Sequence, residues 1–269
     1  GARLQSTQRA FLPQTVGKLR SNLVPTKALV DDYIMTNGKA IGEAGSGFDE
    51  NDPYTNRDPR LEKTIIHHNS EIVDFDGTTQ TILTEPGSVP ITNTIEDQGA
   101  SATGFYFKKY YDQTATNFNS SVNLILLRYA DVLLMYAEAK NELNQFSAEI
   151  WDKTIRPIRQ RAGFTEASAL NFDPALSQEA LREVIRRERR SELAFEGLRV
   201  FDIRRWKIAD QVLNQPVKGI KVSGQFPQDE NGYLIVEQRT FEAPKHYLWP
   251  IPQSEVDQNI NLTPNNPGW

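Results

Sequence analysis

The chain has 269 residues, and 30 Lys+Arg against 35 Asp+Glu leave a formal net charge of −5. That mild acidity argues against a nucleic-acid partner, which calls for a basic face. The hydrophobic share of 38%, about 44% once the 16 glycines are added, suits a globular core and excludes collagen-like, low-complexity or wholly disordered chains. With no cysteine there is no disulfide frame, thiolate metal site, cysteine nucleophile or lipid-bearing thiol. The best apolar run, Leu124 to Ala137, is interrupted by Arg128 and Asp131, short of the roughly 18 uncharged residues a membrane helix needs.

In chain order, Thr26 to Met35 after Pro25 predicts a short helix, since proline fits the first turn where its missing N–H is unpaired anyway. Asn37 to Asp58 reads as a loop rich in Gly, Asn and Asp. Ile72 to Phe75, Asp76-Gly77 and Thr78 to Leu83 predict a hairpin, and Gly104 to Tyr111 a further strand. Asn123 to Leu143 is the strongest helical pattern, with Leu126, Ala130, Leu133, Leu134 and Ala137 at helical spacing. A second helix is expected from the N-cap Ser147 to Ala162, kinked by Pro157 and ended by Gly163, and the pair forms a helical hairpin of the kind that stacks into solenoids. A third opens at Leu176-Ser177 and runs to about Gly197, followed by an aromatic segment, Phe201 to Trp206, and a further helical turn or two. Lys218 to Phe241 predicts another hairpin turning at Glu230-Asn231-Gly232, and the tail with Pro244, Pro250, Pro252, Pro264 and Pro267 is expected to be extended and packed on the body. The whole reads as one domain over 1–269: a loop-rich region with a hairpin (1–122), a helical region (123–213), and a hairpin with an extended tail (214–269).

Few constellations carry chemistry. Arg182, Arg186, Arg187, Arg189 and Arg190 are matched by Glu179, Glu183, Glu188, Glu192 and Glu196, so the most basic stretch reads as an ion-pair lattice rather than a phosphate site. Glu183 and Arg187 stand in the favoured i,i+4 order. From Phe195 to Trp206, guanidiniums alternate with rings and carboxylates on which they can stack and fork, an internal brace. Arg57, Asp58, Arg60, Arg186, Arg189, Glu192, Glu196 and Trp206 are therefore expected to be structural. His67, His68 and His246 lack zinc-ligand spacing, and there is no phosphate loop or nucleophile elbow. Asp49 to Asp52 and Asp74 to Gly77 suggest calcium only weakly, because neither continues as a calcium loop. The acids of the first loop also form no recognisable glycosidase pair. Neither a catalytic set nor a metal site is expected; Phe48 and Tyr54, rings flanking an acidic loop, are the candidate ligand contacts, suited to stacking on a sugar.

Several segments together resemble the SusD/RagB outer-membrane nutrient-binding lipoproteins of Bacteroidetes. They are Pro25 to Asp31, Tyr54 to Leu61, Leu127 to Ala139, Ile158 to Gly163, Arg186 to Trp206, Trp249 to Glu255 and the ending Asn266-Pro267-Gly268-Trp269. The resemblance implies a mainly α protein: tetratricopeptide-like helix pairs with long loops and small β-hairpins. It implies a non-enzymatic, cofactor-free binder of an oligosaccharide, or in some members a peptide. Such a protein sits at the bacterial cell surface as partner of a SusC-like TonB-dependent transporter, and touches the outer membrane only through an N-terminal lipid. By the family's usual length the chain looks like a C-terminal half, without the lipidated Cys and the first helix pairs. A helical-repeat protein–protein adaptor is the alternative reading, which a wide uncovered apolar groove would favour.

Overall fold

In the computed structural model, which describes residues 7–115 and 118–269, a loop-rich body carries three two-stranded antiparallel sheets. After a 3₁₀ turn at Thr7–Ala10 come α1 (Gln14–Gly17) and α2 (Lys27–Asp32). The expected extension of α2 to Met35 does not form. Arg57, buried, donates from Nε and Nη2 to the Tyr33 carbonyl at 3.1 and 2.7 Å and from Nη2 to that of Val30 at 2.7 Å, and Met35 bridges to Arg57, so the chain leaves the helix at Tyr33. Next follow α3 (Arg60–Thr64), β1 (Ile65–Ile66), β2 (Ser70–Val73), β3 (Thr79–Ile82) and β4 (Tyr106–Phe107). β2 and β3 pair in register Ser70↔Ile82 to Val73↔Thr79, the hairpin expected at Asp76-Gly77. The strand expected over Gly104 to Tyr111 shortens to two residues paired with β1. Burial alternates along β2, which puts Ile72 into a core with Leu12, Tyr33, Leu61, Ile65, Ile66, Ile82 and Tyr106.

The helical region holds α4 (Tyr129–Glu142), α5 (Ala148–Lys153), α6 (Ile155–Ala162), α7 (Ala167–Leu170), α8 (Gln178–Glu192), α9 (Arg199–Arg205) and α10 (Ala209–Leu213). α4 starts six residues later than the periodicity suggests. Arg128 is extended and its guanidinium clasps Glu196 (Nε to Oε2, 2.9 Å), which leaves Leu126 outside the helix and 91% exposed instead of in the core. Ser147 accepts from the Ile150 N–H and Ser177 from the Ala180 N–H, the two expected caps. Pro157 acts upstream of itself: it lies in the first turn of α6, and the break falls at Thr154, so one kinked helix becomes two. Gly163 ends α6 at φ 111°, where a side chain would be strained. α8 stops at Glu192 rather than near Gly197, and Phe195, at φ 63°, turns the chain toward α9.

These helices are bound through charge. Arg189 of α8 lies between Asp131 of α4 and Asp202 of α9, donating to Asp202 at 2.7 Å. Arg60 of α3 reaches Asp58 (2.6 Å), Glu188 (2.7 Å) and Glu192 (3.0 Å), tying the loop-rich body to α8. Arg159 of α6 donates to Glu188 at 2.8 Å and to the Ala169 carbonyl at 2.6 Å. Burial raises the pKa of Glu188, but Arg60 and Arg159 outweigh it and hold the carboxyl below its usual range; Arg60 and Arg128 do the same for Glu192. Trp206 donates to Glu138 at 2.7 Å while Arg186 and Arg205 each sit 4.8 Å from its ring centre. The lattice expected from sequence is present with different partners: Glu183 pairs with Arg186 at 3.3 Å, and Arg187 lies 3.9 Å from Glu43.

β5 (Val217–Lys221) and β6 (Tyr233–Glu237) form the second expected hairpin. It does not stand apart from the first region: Ile220, Val222 and Leu234 enter the same core as β1–β4. The approach is close, since Ile220 donates to the Thr103 carbonyl at 2.9 Å and a Cβ on Gly219 would lie 2.5 Å from that oxygen. The tail is less extended than its prolines suggest. Pro252, at φ −55°, leads into α11 (Gln253–Gln258), and 3₁₀ turns occupy Lys245–Tyr247 and Ile260–Leu262. It does pack on the body, where Phe241 and Tyr247 meet Ile203 and Ala209. Among the described residues, no helix is long and apolar enough to cross a membrane.

Candidate functional site

A cavity of about 850 Å³ opens between α2, the α8–α9 junction, α10 and the β5–β6 hairpin. Its size and mixed lining suit a small ligand: Leu29, Leu193, Phe195, Leu198 and Val217 give apolar wall, while Lys27, Asp31, Asn231 and Tyr233 give polar groups. Phe195 is fixed by stacking on Phe107 (3.9 Å, 4°) and by an edge contact with Phe11 at 5.0 Å. Tyr233, presented by β6, has the Lys27 ammonium 4.0 Å over its ring. Asp229 shapes the turn beside it, accepting from the N–H groups of Asn231 and Tyr233 at 2.9 Å each. Arg199, the first residue of α9, lines the same space, and burial with the neighbouring Arg190 charge pulls its pKa down to about 10. It therefore stays cationic at neutral pH.

The two rings singled out from sequence are placed differently from one another. Phe48 is half-buried in its loop, with the Arg57 guanidinium 5.4 Å from its centre. Tyr54 packs against the main core and spends one face on the His67 imidazole (3.6 Å, 12°). Neither lines the cavity. Their loop nevertheless meets its rim, because Glu50 accepts from the Tyr233 hydroxyl at 2.8 Å and from Lys221 at 3.1 Å, contacts that hold its pKa below the usual value. Tyr233 is the residue that sequence reasoning passed over; an aromatic directly after Asn231-Gly232 was the available signal, since that turn sets which face the first strand residue presents. Arg199 was absorbed into the brace, although the brace does not hold it.

The acids considered for calcium are engaged in their own turns. Asp49 accepts from the Asn51 N–H at 2.9 Å, Asp76 from that of Thr78 at 2.8 Å, and Asp74 from Gln80 at 2.6 Å. Among the described residues no three His, Asp or Glu side chains converge as a metal ion would need. A second cavity of about 570 Å³, between α2, the loop 37–43 and α5–α8, is lined by Asn37, Lys39, Trp151, Phe172, Asp173 and Arg187 among others.

The SusD family model matches residues 4–269. The chain belongs to the SusD family. Among curated SusD-like relatives, SusD-like protein P2 of Formosa agariphila is 38% identical over 170 residues, which is 61% of this chain and 30% of that protein. A solved SusD-like carbohydrate-binding protein of Bacteroides fragilis is 31% identical, with a TM-score of 0.78 over 96% of this chain and 52% of its own. A second SusD-like structure from Bacteroides fragilis is 28% identical, with a TM-score of 0.72 over 93% of this chain and 47% of its own. The chain thus spans about half the length of these solved SusD-like proteins and a smaller share of P2. The description of the chain as a C-terminal half is corrected to what the match shows: the family model matches nearly all of this chain, residues 4–269. The mainly helical fold with small hairpins is that of these relatives.

Proposed function

We propose that this protein is a non-enzymatic oligosaccharide-binding component of a nutrient-uptake system. It works at the bacterial cell surface, held at the outer membrane by an N-terminal lipid of the full-length protein, and hands its ligand to a SusC-like TonB-dependent transporter. The observation that carries the reading is the 31% identity, across 96% of this chain, to a protein described as carbohydrate-binding. The site's chemistry supports it: a ligand-sized cavity with an aromatic ring, an amide and charged groups at its rim is how proteins hold sugars. In this reading Tyr233 stacks on the sugar inside the cavity, and Phe48 and the partly exposed edge of Tyr54 extend the contact along the adjoining loop.

Affinity electrophoresis across plant, algal and host polysaccharides tests this. At least one glycan is expected to retard the protein, and Tyr233→Ala, Phe48→Ala or Tyr54→Ala is expected to reduce the retardation without changing mobility in a glycan-free gel. Release of sugar from the retarding glycan would contradict a purely binding role. Recovery of a TonB-dependent transporter with the full-length protein from solubilised outer membranes tests the partnership.

One observation favours the second reading, a helical-repeat adaptor. Leu124, Leu126, Leu127, Tyr129, Val132, Met135, Tyr136 and Leu143 form an exposed apolar stretch along α4 and the irregular segment before it. A Tyr129→Ser, Met135→Ser variant that loses a protein partner while keeping glycan retardation would give that face the adaptor role.

A further inference from the structure

The cavity is cationic in a protein whose net charge is −5. Six cations line it, Lys27, Arg189, Arg190, Arg199, Lys218 and Arg239, against the three acids Asp31, Asp202 and Asp229. Five of the six are accounted for by carboxylates. Lys27 pairs with Asp31 at 2.6 Å, Arg189 with Asp202 at 2.7 Å, Lys218 with Asp229 at 2.6 Å and Arg239 with Glu237 at 3.0 Å, while Arg190 is bonded to Asp32. Among the described residues, Arg199 makes no ion pair, side-chain hydrogen bond or ring contact, and Asp32 and Asp202 act on it only at longer range. Arg199 is partly buried, so its guanidinium gives up some of its hydration without gaining a paired partner, and the repulsion from neighbouring Arg190 is offset only in part by the more distant Asp32 and Asp202. An anion entering the cavity would relieve both terms, and the planar fork of arginine is matched to a carboxylate or sulfate.

Resting on the glycan reading above, we propose that the cavity selects an acidic sugar, with the Arg199 guanidinium binding its carboxylate or sulfate ester while the ring of Tyr233 and the amide of Asn231 contact the sugar itself. The selectivity is set by one unneutralised cation. A neutral sugar of the same shape leaves Arg199 unpaired, so the anionic ligand is favoured by the cation's desolvation as well as by its own charge. Because the pairing is electrostatic, binding weakens as salt rises, whereas stacking on Tyr233 does not depend on salt in this way.

The test is calorimetric titration of the protein with three probes: an oligogalacturonate, its methyl ester, and a sulfated galactan oligosaccharide, each at low and high salt. One acidic probe is expected to bind at least about tenfold more tightly than the methyl ester, with Arg199→Gln removing that preference. Which acidic probe wins identifies the anionic group. Thermal unfolding of Arg199→Gln alongside the wild type tells a lost ligand contact from a lost fold; if the variant does not fold, the ester comparison on the wild type still decides. Equal binding of acid and ester, or an acid preference that survives in Arg199→Gln, overturns the proposal while leaving glycan binding intact. Binding of neutral glycans alone does the same. No binding by these probes, together with no retardation by any polysaccharide, overturns both the proposal and the glycan reading beneath it.

Discussion

The loop-rich body and the helical region differ in how much charge they bury beside their apolar cores. Around β1–β4 the fully buried side chains are Leu12, Val16, Leu61, Ile65, Ile66, Ile72 and Ile82, with Tyr33 and Tyr106. Between α3, α4, α6, α8 and α9 the interior also holds Arg60, Asp131, Arg159, Glu188, Arg189, Glu192 and Asp202, all less than a tenth exposed. Apolar contact is non-directional and accumulates with area, so the short strands and loops can be assembled from small pieces. Buried ions are directional, and each needs its partners in place. That requirement sets how α8 meets α4, α6 and α9, and Arg60 extends it across the boundary between regions.

If the contrast is sound, the ionic interior should be the more brittle. Arg189→Ala is expected to cost about 3–5 kcal/mol, because it leaves Asp131 buried without its partner and Asp202 with only Arg205. Urea unfolding of the variant measures this, and a loss under 1 kcal/mol would remove the distinction between the regions. Ile66→Ala in the apolar core is expected to cost about 2–5 kcal/mol, depending on how far the core closes over the lost volume. The two variants should differ in salt dependence, which is a sharper comparison than size: only the first alters an electrostatic balance.

Acid should act on the helical region first. The folded-state pKa values of Glu188 and Glu192 lie below the unfolded carboxylate value of about 4.3. The stability they contribute is therefore fully present above that value and is lost as pH falls through their folded pKa. Hydrogen exchange stepped downward from pH 5 is expected to show α4 and α8 losing protection before the β2–β3 hairpin; the reverse order would contradict the assignment. The smallest effect is local: Ser177→Ala removes the side-chain cap at the Ala180 N–H and is expected to cost about 1 kcal/mol, read as a lowered unfolding midpoint.

Punctuation was legible in the residues themselves. The turn at Asp76-Gly77, the caps Ser147 and Ser177, the stop at Gly163 and the break associated with Pro157 all stand within a few residues of their expected places, because each depends on local backbone chemistry. The start of α4 was not legible. Leu126 continues an apolar period, yet Arg128 is extended where its guanidinium clasps Glu196, 68 residues away, and the helix begins only at Tyr129. The candidate site followed the same division. An aromatic loop beside acids could be seen from Phe48 and Tyr54, but Tyr54 is committed to His67, and Tyr233 and Arg199 become site residues only when α2, α9 and the β5–β6 hairpin close around a common space.

By itself, then, the sequence determined the turn at Asp76-Gly77, the caps Ser147 and Ser177 and the stop at Gly163, that the arginine-rich helix carries its own counter-charges, and the family to which the chain belongs. Local conformational preference and residue order suffice for these. The tertiary structure alone decided which carboxylate each paired arginine meets, and that, of the cations lining the cavity, Arg199 is the one left without a pair. Charge pairing is a property of distance in space, and composition matches numbers of charges without saying which of them come within reach.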